Sequence, residues 1–190
     1  MSESGASAKK TLLLLALVCV VPVLAGYWVV LGMRPATTTN YGEIVPAVML
    51  DHVHLRQPDG GEFRFADLRG KWILLMVDTG SCDEYCQEKL TYMRQLRLTQ
   101  GKDRDRVERV WLISDAVPHA SALSMRFEGT KEVFAGDSDV LSKLPAARTS
   151  SDHIYVVDPL GNLILRFPRH AQPKGMVKDL TRLLRISRIG

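Results

Sequence analysis

Trp72-Ile73-Leu74-Leu75-Met76-Val77, then Thr79-Gly80-Ser81, then Cys82-Asp83-Glu84-Tyr85-Cys86: this is the stretch on which the fold turns. Its first part is an unbroken apolar run with no polar alternation, which reads as a central strand buried on both faces. Thr79-Gly80-Ser81 ends that strand. Leu90, Met93, Leu96 and Leu98 then recur at roughly helical spacing until Gly101 stops the run. The strand thus leads through a tight turn into a helix, and the two cysteines fall at the junction.

Outward from the junction the pattern continues. Val107 to Ser114 (VERVWLIS) reads as a second strand, a helix is expected over about Ala120 to Phe127, and the chain is less regular up to Leu144. Upstream, Val48 to Phe65 reads as a hairpin. Val53 and Leu55 alternate with polar neighbours, Pro58-Asp59-Gly60-Gly61 supplies the turn, and Phe63 and Phe65 resume the period of two. Downstream, Ile154–Val157 and Leu163–Phe167 flank the turn residues Asp158-Pro159-Leu160-Gly161-Asn162 in a second hairpin. A last helix over about Pro173 to Ile186 buries Met176, Val177, Leu180, Leu183 and Leu184. Its opposite face carries Lys174, Lys178, Arg182 and Arg185, a face that solvent satisfies and that anionic lipid headgroups could also meet. Crossover helices between strands call for parallel pairing, and the late hairpin adds antiparallel strands. The fold class is α/β, a thioredoxin-like sandwich preceded by a transmembrane helix.

That helix is read from Thr11 to Met33, an uncharged stretch of 23 residues, long enough for roughly 30 Å of hydrocarbon. Pro22 and Gly26 are tolerated in lipid, and Tyr27 and Trp28 lie near one end, where amphipathic rings favour the interface. A cleaved signal peptide is the rival, but its apolar core is usually only about 7–15 residues. The expected organisation is a tail at 1–10, the anchor at 11–33, a linker at 34–47 and one domain at 48–190. Lys9 and Lys10 precede the anchor and only Arg34 follows it closely. Positive-inside logic then puts the tail in the cytoplasm and, in a bacterium, the domain in the periplasm, on a single-pass inner-membrane protein. Cys19 lies within the apolar block and receives no role. The net charge of +4, with acidic and basic residues interleaved, argues against nucleic-acid binding.

Cys82 and Cys86 are the residues with chemistry. Four apart on a helix, their Cβ atoms would lie roughly 5–6 Å apart, and a disulfide needs Cα atoms about 4.4–6.8 Å apart. A helix N-terminus stabilises a thiolate, while Asp83 and Glu84 oppose that effect. Two convergent thiolates also suit Cu(I), with an imidazole to complete a three-coordinate site. Zinc wants a fourth ligand that no second cysteine pair supplies, and haem attachment fails because Gln87 follows Cys86.

The segments Phe65-Ala66-Asp67-Leu68-Arg69-Gly70-Lys71-Trp72, Cys82 to Cys86 and Tyr155-Val156-Val157-Asp158-Pro159-Leu160-Gly161-Asn162 resemble those of the SCO/SenC family. These are membrane-anchored thioredoxin-fold proteins that help assemble the copper site of cytochrome c oxidase. The resemblance runs from about Val48 to Ile186. It implies Cu(I) bound by Cys82 and Cys86, with His153 as third ligand, and an oxidase subunit or other assembly factors as partners. Asp83 and Gln87 stand where the family usually has prolines, and His153 stands closer to the Tyr155–Pro159 segment than in the family. The function implied is assistance to oxidase assembly, by Cu(I) delivery or by keeping copper-ligating thiols reduced. One alternative is a general thiol–disulfide oxidoreductase, with Cys82 attacking and Cys86 resolving. Another is a non-catalytic interaction module on the same fold. His52, His54, His119 and His170 fall in hairpin or loop positions and receive no role.

Overall fold

A computed structural model describes residues 4–32, 40–117 and 121–187. The chain forms two compact units, Met1–Thr39 and Asn40–Gly190. The first is a single helix, α1 (Ser4–Gly32), in which Lys10–Val29 is long and apolar enough to cross a membrane, with none of it buried against protein. Met33, Arg34 and the first part of the expected linker lie outside the described residues, as does His119.

The second unit is built from β1 (Glu43–Met49), β2 (His54–Arg56), β3 (Glu62–Arg64), β4 (Trp72–Asp78), α2 (Glu84–Thr99), β5 (Val107–Ile113), α3 (Ser121–Arg126), β6 (Thr130–Phe134), α4 (Val140–Lys143), β7 (Ile154–Val157), β8 (Asn162–Arg166) and α5 (Pro173–Ile186). All eight strands join one mixed sheet in the order β1-β8-β7-β4-β5-β6-β2-β3. The pairs β4–β5 and β5–β6 are parallel, and β4–β7 and β7–β8 are antiparallel. This is the thioredoxin-like arrangement expected from the alternation of strands and helices.

The central strand divides the core. Trp72, Leu74 and Met76 enter one apolar cluster, with Cys82, Cys86, Leu90 and Met93 of the α2 segment and Met176, Leu180 and Leu184 of α5. Ile73, Leu75 and Val77 enter the other, with Phe63, Phe65, Tyr155 and Leu163. Alternate side chains of a strand point to opposite faces, so an apolar residue at every position of β4 feeds both cores. Each such side chain taken from water contributes about 1.5–3 kcal/mol.

Five local expectations need correction. The sheet begins at Glu43, inside the stretch read as linker, and β1 pairs with β8 from Glu43↔Arg166 to Met49↔Asn162. Pro46 is tolerated in it because β1 is an edge strand, where a missing N–H costs nothing on the open side. The hairpin expected from Val48 to Phe65 shrinks to His54–Arg56 against Glu62–Arg64, because Val48 belongs to β1. Leu98 is 51% exposed, the buried stripe of α2 ending at Leu96. In α5, Val177 and Leu183 are only partly buried. Finally, Thr130–Phe134 is a strand that alternation does not reveal, since Val133 alone in it is fully buried.

Candidate functional site

The site is assembled where β4 gives way to α2. Asp78 closes the strand and its Oδ1 accepts the Thr79 N–H at 2.9 Å. The Gly80 N–H donates to Asp115 Oδ1 at 2.8 Å, and a Cβ at Gly80 would overlap the backbone carbonyl of Val117, so only glycine fits this pass. Cys82 then takes a left-handed conformation, φ +43°, with its N–H donating to Thr79 O at 3.2 Å. Asp83 is the N-cap of α2, accepting the Cys86 N–H at 2.8 Å.

Cys82 and Cys86 are joined in a disulfide with Cα atoms 5.1 Å apart. The sequence placed both on one helix face. Instead Cys82 lies outside the helix, one residue before the cap, because an aspartate caps better than a cysteine. Both cysteines are buried in the α2-side core. Gln87 ties the two ends together, donating through Nε2 to Cys82 O at 3.2 Å.

Lys89, three residues after Cys86 on α2, is only 1% exposed. Its Nζ donates to Val77 O at 2.9 Å and Ser151 O at 2.6 Å, and sits 2.8 Å from Asp78 Oδ2. Burial pulls its pKa below the ordinary lysine value, against the opposing pull of Asp78, Asp83 and Asp152. The Tyr85 ring lies 5.2 Å from Nζ, and its hydroxyl donates to Asp152 O at 2.9 Å. Arg169 stacks over the same ring while pairing with Asp152 at 3.1 Å, and His170 packs against it at 5.0 Å. Burial raises the Tyr85 phenol above its usual range, so it remains a hydrogen-bond donor at neutral pH. Lys89 had a readable signal: it follows Cys86 by three positions and precedes Met93 by four, which puts it on the helix's apolar face.

His153 is not brought to the cysteines. Ile154 and Val156 point into the cysteine-side core, while Tyr155 and Val157 point into the other. His153 follows the Tyr155 side, its ring edge-on to Tyr155 at 5.8 Å. Its Nδ1 donates to Phe167 O at 2.8 Å, and its Nε2 is buried with no hydrogen-bond partner among the described residues. Among the described residues no three His, Cys, Asp or Glu side chains converge to hold a metal ion.

Residues 72–187 match the family described as transmembrane-like, thioredoxin-like, C-terminal domain, well over half the chain. The chain belongs to that family. No curated protein matches it by sequence. Among solved structures, Bradyrhizobium japonicum ScoI with copper bound is similar at 18% identity and TM-score 0.54, over 73% of this chain and 99% of that one. Yeast Sco1 with copper bound is similar at 16% identity and TM-score 0.60, over 80% and 96%. The thioredoxin domain of a Bacteroides vulgatus thiol-disulfide oxidoreductase gives 16% identity and TM-score 0.53, over 77% and 99%. At such identities the likeness establishes the fold. For this member of the transmembrane-like, thioredoxin-like family, the chemistry rests on its own dithiol, which can open, close or hold a soft cation between its sulfurs.

Proposed function

We propose that this chain is a membrane-anchored thiol–disulfide protein that assists cytochrome c oxidase assembly by keeping copper-ligating thiols reduced. The observation that carries the reading is the Cys82–Cys86 disulfide at the head of α2, held between the glycine-dependent pass at Gly80 and the Asp83 cap. In the reduced chain the Cys82 thiolate attacks a partner disulfide and forms a mixed disulfide, expelling one partner thiolate. The Cys86 thiolate then attacks Cys82 Sγ, closing the internal disulfide and releasing the second partner thiolate. Two electrons pass to the partner, its thiolates take up the protons that the two cysteines gave up, and an external dithiol restores the starting state. Asp83 and Glu84 disfavour thiolate at this helix end, against the helix N-terminus that favours it. α1 holds the domain at the membrane, and Lys9 and Lys10 orient it toward the periplasm of a bacterial inner membrane.

Cu(I) delivery is a second reading, supported by the copper-bound structures to which the fold is similar. Once reduced, Cys82 and Cys86 supply two soft donors in reach of one another. His153 would have to leave the Phe167 carbonyl and change faces of the sheet to serve as third ligand.

The test uses the full chain in detergent micelles, reduced and free of oxygen. Thiol exchange predicts that one equivalent of a peptide disulfide becomes dithiol, that Cys82→Ser abolishes the reaction, and that Cys86→Ser accumulates the mixed disulfide. Chelator competition with Cu(I) on the same sample tests the second reading, which requires one-to-one binding that the double serine variant loses. A chain that neither exchanges nor binds Cu(I), with its thiols shown to be free, sinks both.

A further inference from the structure

The exposed face of α5 takes no part in the thiol chemistry. Lys174, Lys178, Arg182 and Arg185 are all exposed, and at about 100° per residue they fall within an arc of roughly 80°. Met176, Leu180 and Leu184, on the opposite side of the helix, enter the core. The only acid in α5 is Asp179, which is buried and accepts the Gly42 N–H at 2.7 Å. Several cations elsewhere on the surface meet carboxylates, as Arg64 meets Asp67 and Lys143 meets Asp139. Lys174, Lys178 and Arg185 make no ion pair among the described residues.

Solvation alone does not account for this placement. Like charges four apart on a helix repel, and Lys174 stands in the first turn, where the helix dipole disfavours a cation. An anionic surface laid along the stripe would relieve both effects. The route of the chain says which surface. It enters the domain along α5: Tyr41 Oη accepts the Gln172 N–H at 2.7 Å, Gly42 is bound to Asp179, and a Cβ at Gly175 would overlap the Tyr41 ring. Seven residues, 33–39, separate α1 from Asn40, and a chain of that length reaches at most about 25 Å. A tether so short keeps lipid at high effective concentration for the domain.

We infer that the basic stripe of α5 docks on the anionic headgroups of the bilayer that α1 spans. Docking holds the domain in one orientation, and with it the disulfide, which shares a core with α5. The inference rests on α1 as an anchor and on neither reading of the cysteine chemistry.

The test places the full chain in nanodiscs of phosphatidylcholine alone or mixed equally with phosphatidylglycerol. Acetylation of single lysines by a neutral reagent is followed at about 0.1 M salt, where charges still act over roughly 10 Å. Retention in the discs checks the anchor by itself, and a chain that enters neither disc overturns the anchor and the docking with it. Lys174 and Lys178 should react about fivefold more slowly on the phosphatidylglycerol discs. Lys143, on α4 and the opposite side of the sheet, should keep its rate. Each cation near an anionic surface strengthens docking roughly fivefold. Arg182→Gln combined with Arg185→Gln leaves both reporter lysines in place and should weaken docking about 25-fold, restoring their rates. Equal slowing of Lys143 means a domain that tumbles freely over the surface, and equal rates in the two lipids mean no electrostatic contact; either overturns the inference. Protection already present in detergent gives the face to an acidic protein that travels with the chain, and overturns it as well.

Discussion

Lys89 and Arg109 are both buried cations on the α2-covered face of the sheet, and the fold treats them in opposite ways. Lys89, on α2, meets a carboxylate and two carbonyls that belong to β4 and to the turn before β7. Arg109, on β5, is 5% exposed and donates through Nη2 to Glu128 O at 2.6 Å. Its Nε and Nη1 are enclosed with no hydrogen-bond partner among the described residues. Desolvation is unfavourable to both. For Lys89 the outlay joins three segments around the disulfide, and for Arg109 it joins one loop carbonyl to a strand. A buried charge thus marks a functional site when its partners come from the elements that build the site, and not by burial alone.

The largest expected effect follows from cutting the satisfied cation. Lys89→Met leaves Asp78 without its counter-charge in a side chain that is only 13% exposed. Breaking one partner of such a pair should cost about 3 kcal/mol in urea unfolding at pH 7. The pH dependence sharpens the point. Because burial lowers the Lys89 pKa in the folded chain, the unfolded chain binds more protons between that value and the ordinary 10.5. Stability from this group therefore rises with pH across that window. The native chain's advantage over Lys89→Met should widen toward pH 10.5, and a flat difference would contradict the assigned burial.

Reducing the disulfide should matter less. The bond closes a loop of separation 4, and a loop so short removes little entropy from the unfolded chain, about 2 kcal/mol. The dithiol form should therefore remain folded, as a cycling pair requires, with the Lys89 contacts holding the junction. Thermal unfolding with and without reductant measures this directly. Loss of the cooperative transition on reduction would make the disulfide structural and would undercut the proposed exchange.

Much of this was legible in the sequence, and what was missed has physical causes. The unbroken run Trp72–Val77 named the central strand because both of its faces are covered. Pro173 and the spacing of Met176, Leu180 and Leu184 fixed α5. The edges read poorly: β1 carries a proline and β6 is mostly half-buried, and neither leaves an alternating pattern. At the site, the cysteine pair was visible as a motif, but its geometry depended on Asp83 taking the cap. His153 was judged by its distance in sequence from β7, whereas its direction is set by the sheet's period of two, and one position decides the face. Lys89 and Tyr85 neither ligate nor attack, and only their places on α2 beside Cys86 mark them.

The smallest effect, and the only one with a gain, concerns the unsatisfied cation. Arg109 is disfavoured by burial and by the like charges of Arg97 and Arg94, with Glu108 as the sole opposing influence. Arg109→Met keeps an unbranched stem that can fill the same space and removes a buried charge whose Nε and Nη1 have no acceptor. The one bond given up leaves the Glu128 carbonyl, in an exposed residue, free to take water. Replacing a poorly paired buried ion by an apolar side chain is commonly neutral or stabilising, so a gain of about 1 kcal/mol in urea unfolding is expected. Part of that gain is relief of repulsion from partly exposed neighbours, so it should shrink in high salt, where such charges are screened. A loss of stability instead would mean that Arg109 has a partner beyond Glu128, and the contrast with Lys89 would then reduce to the identity of their partners.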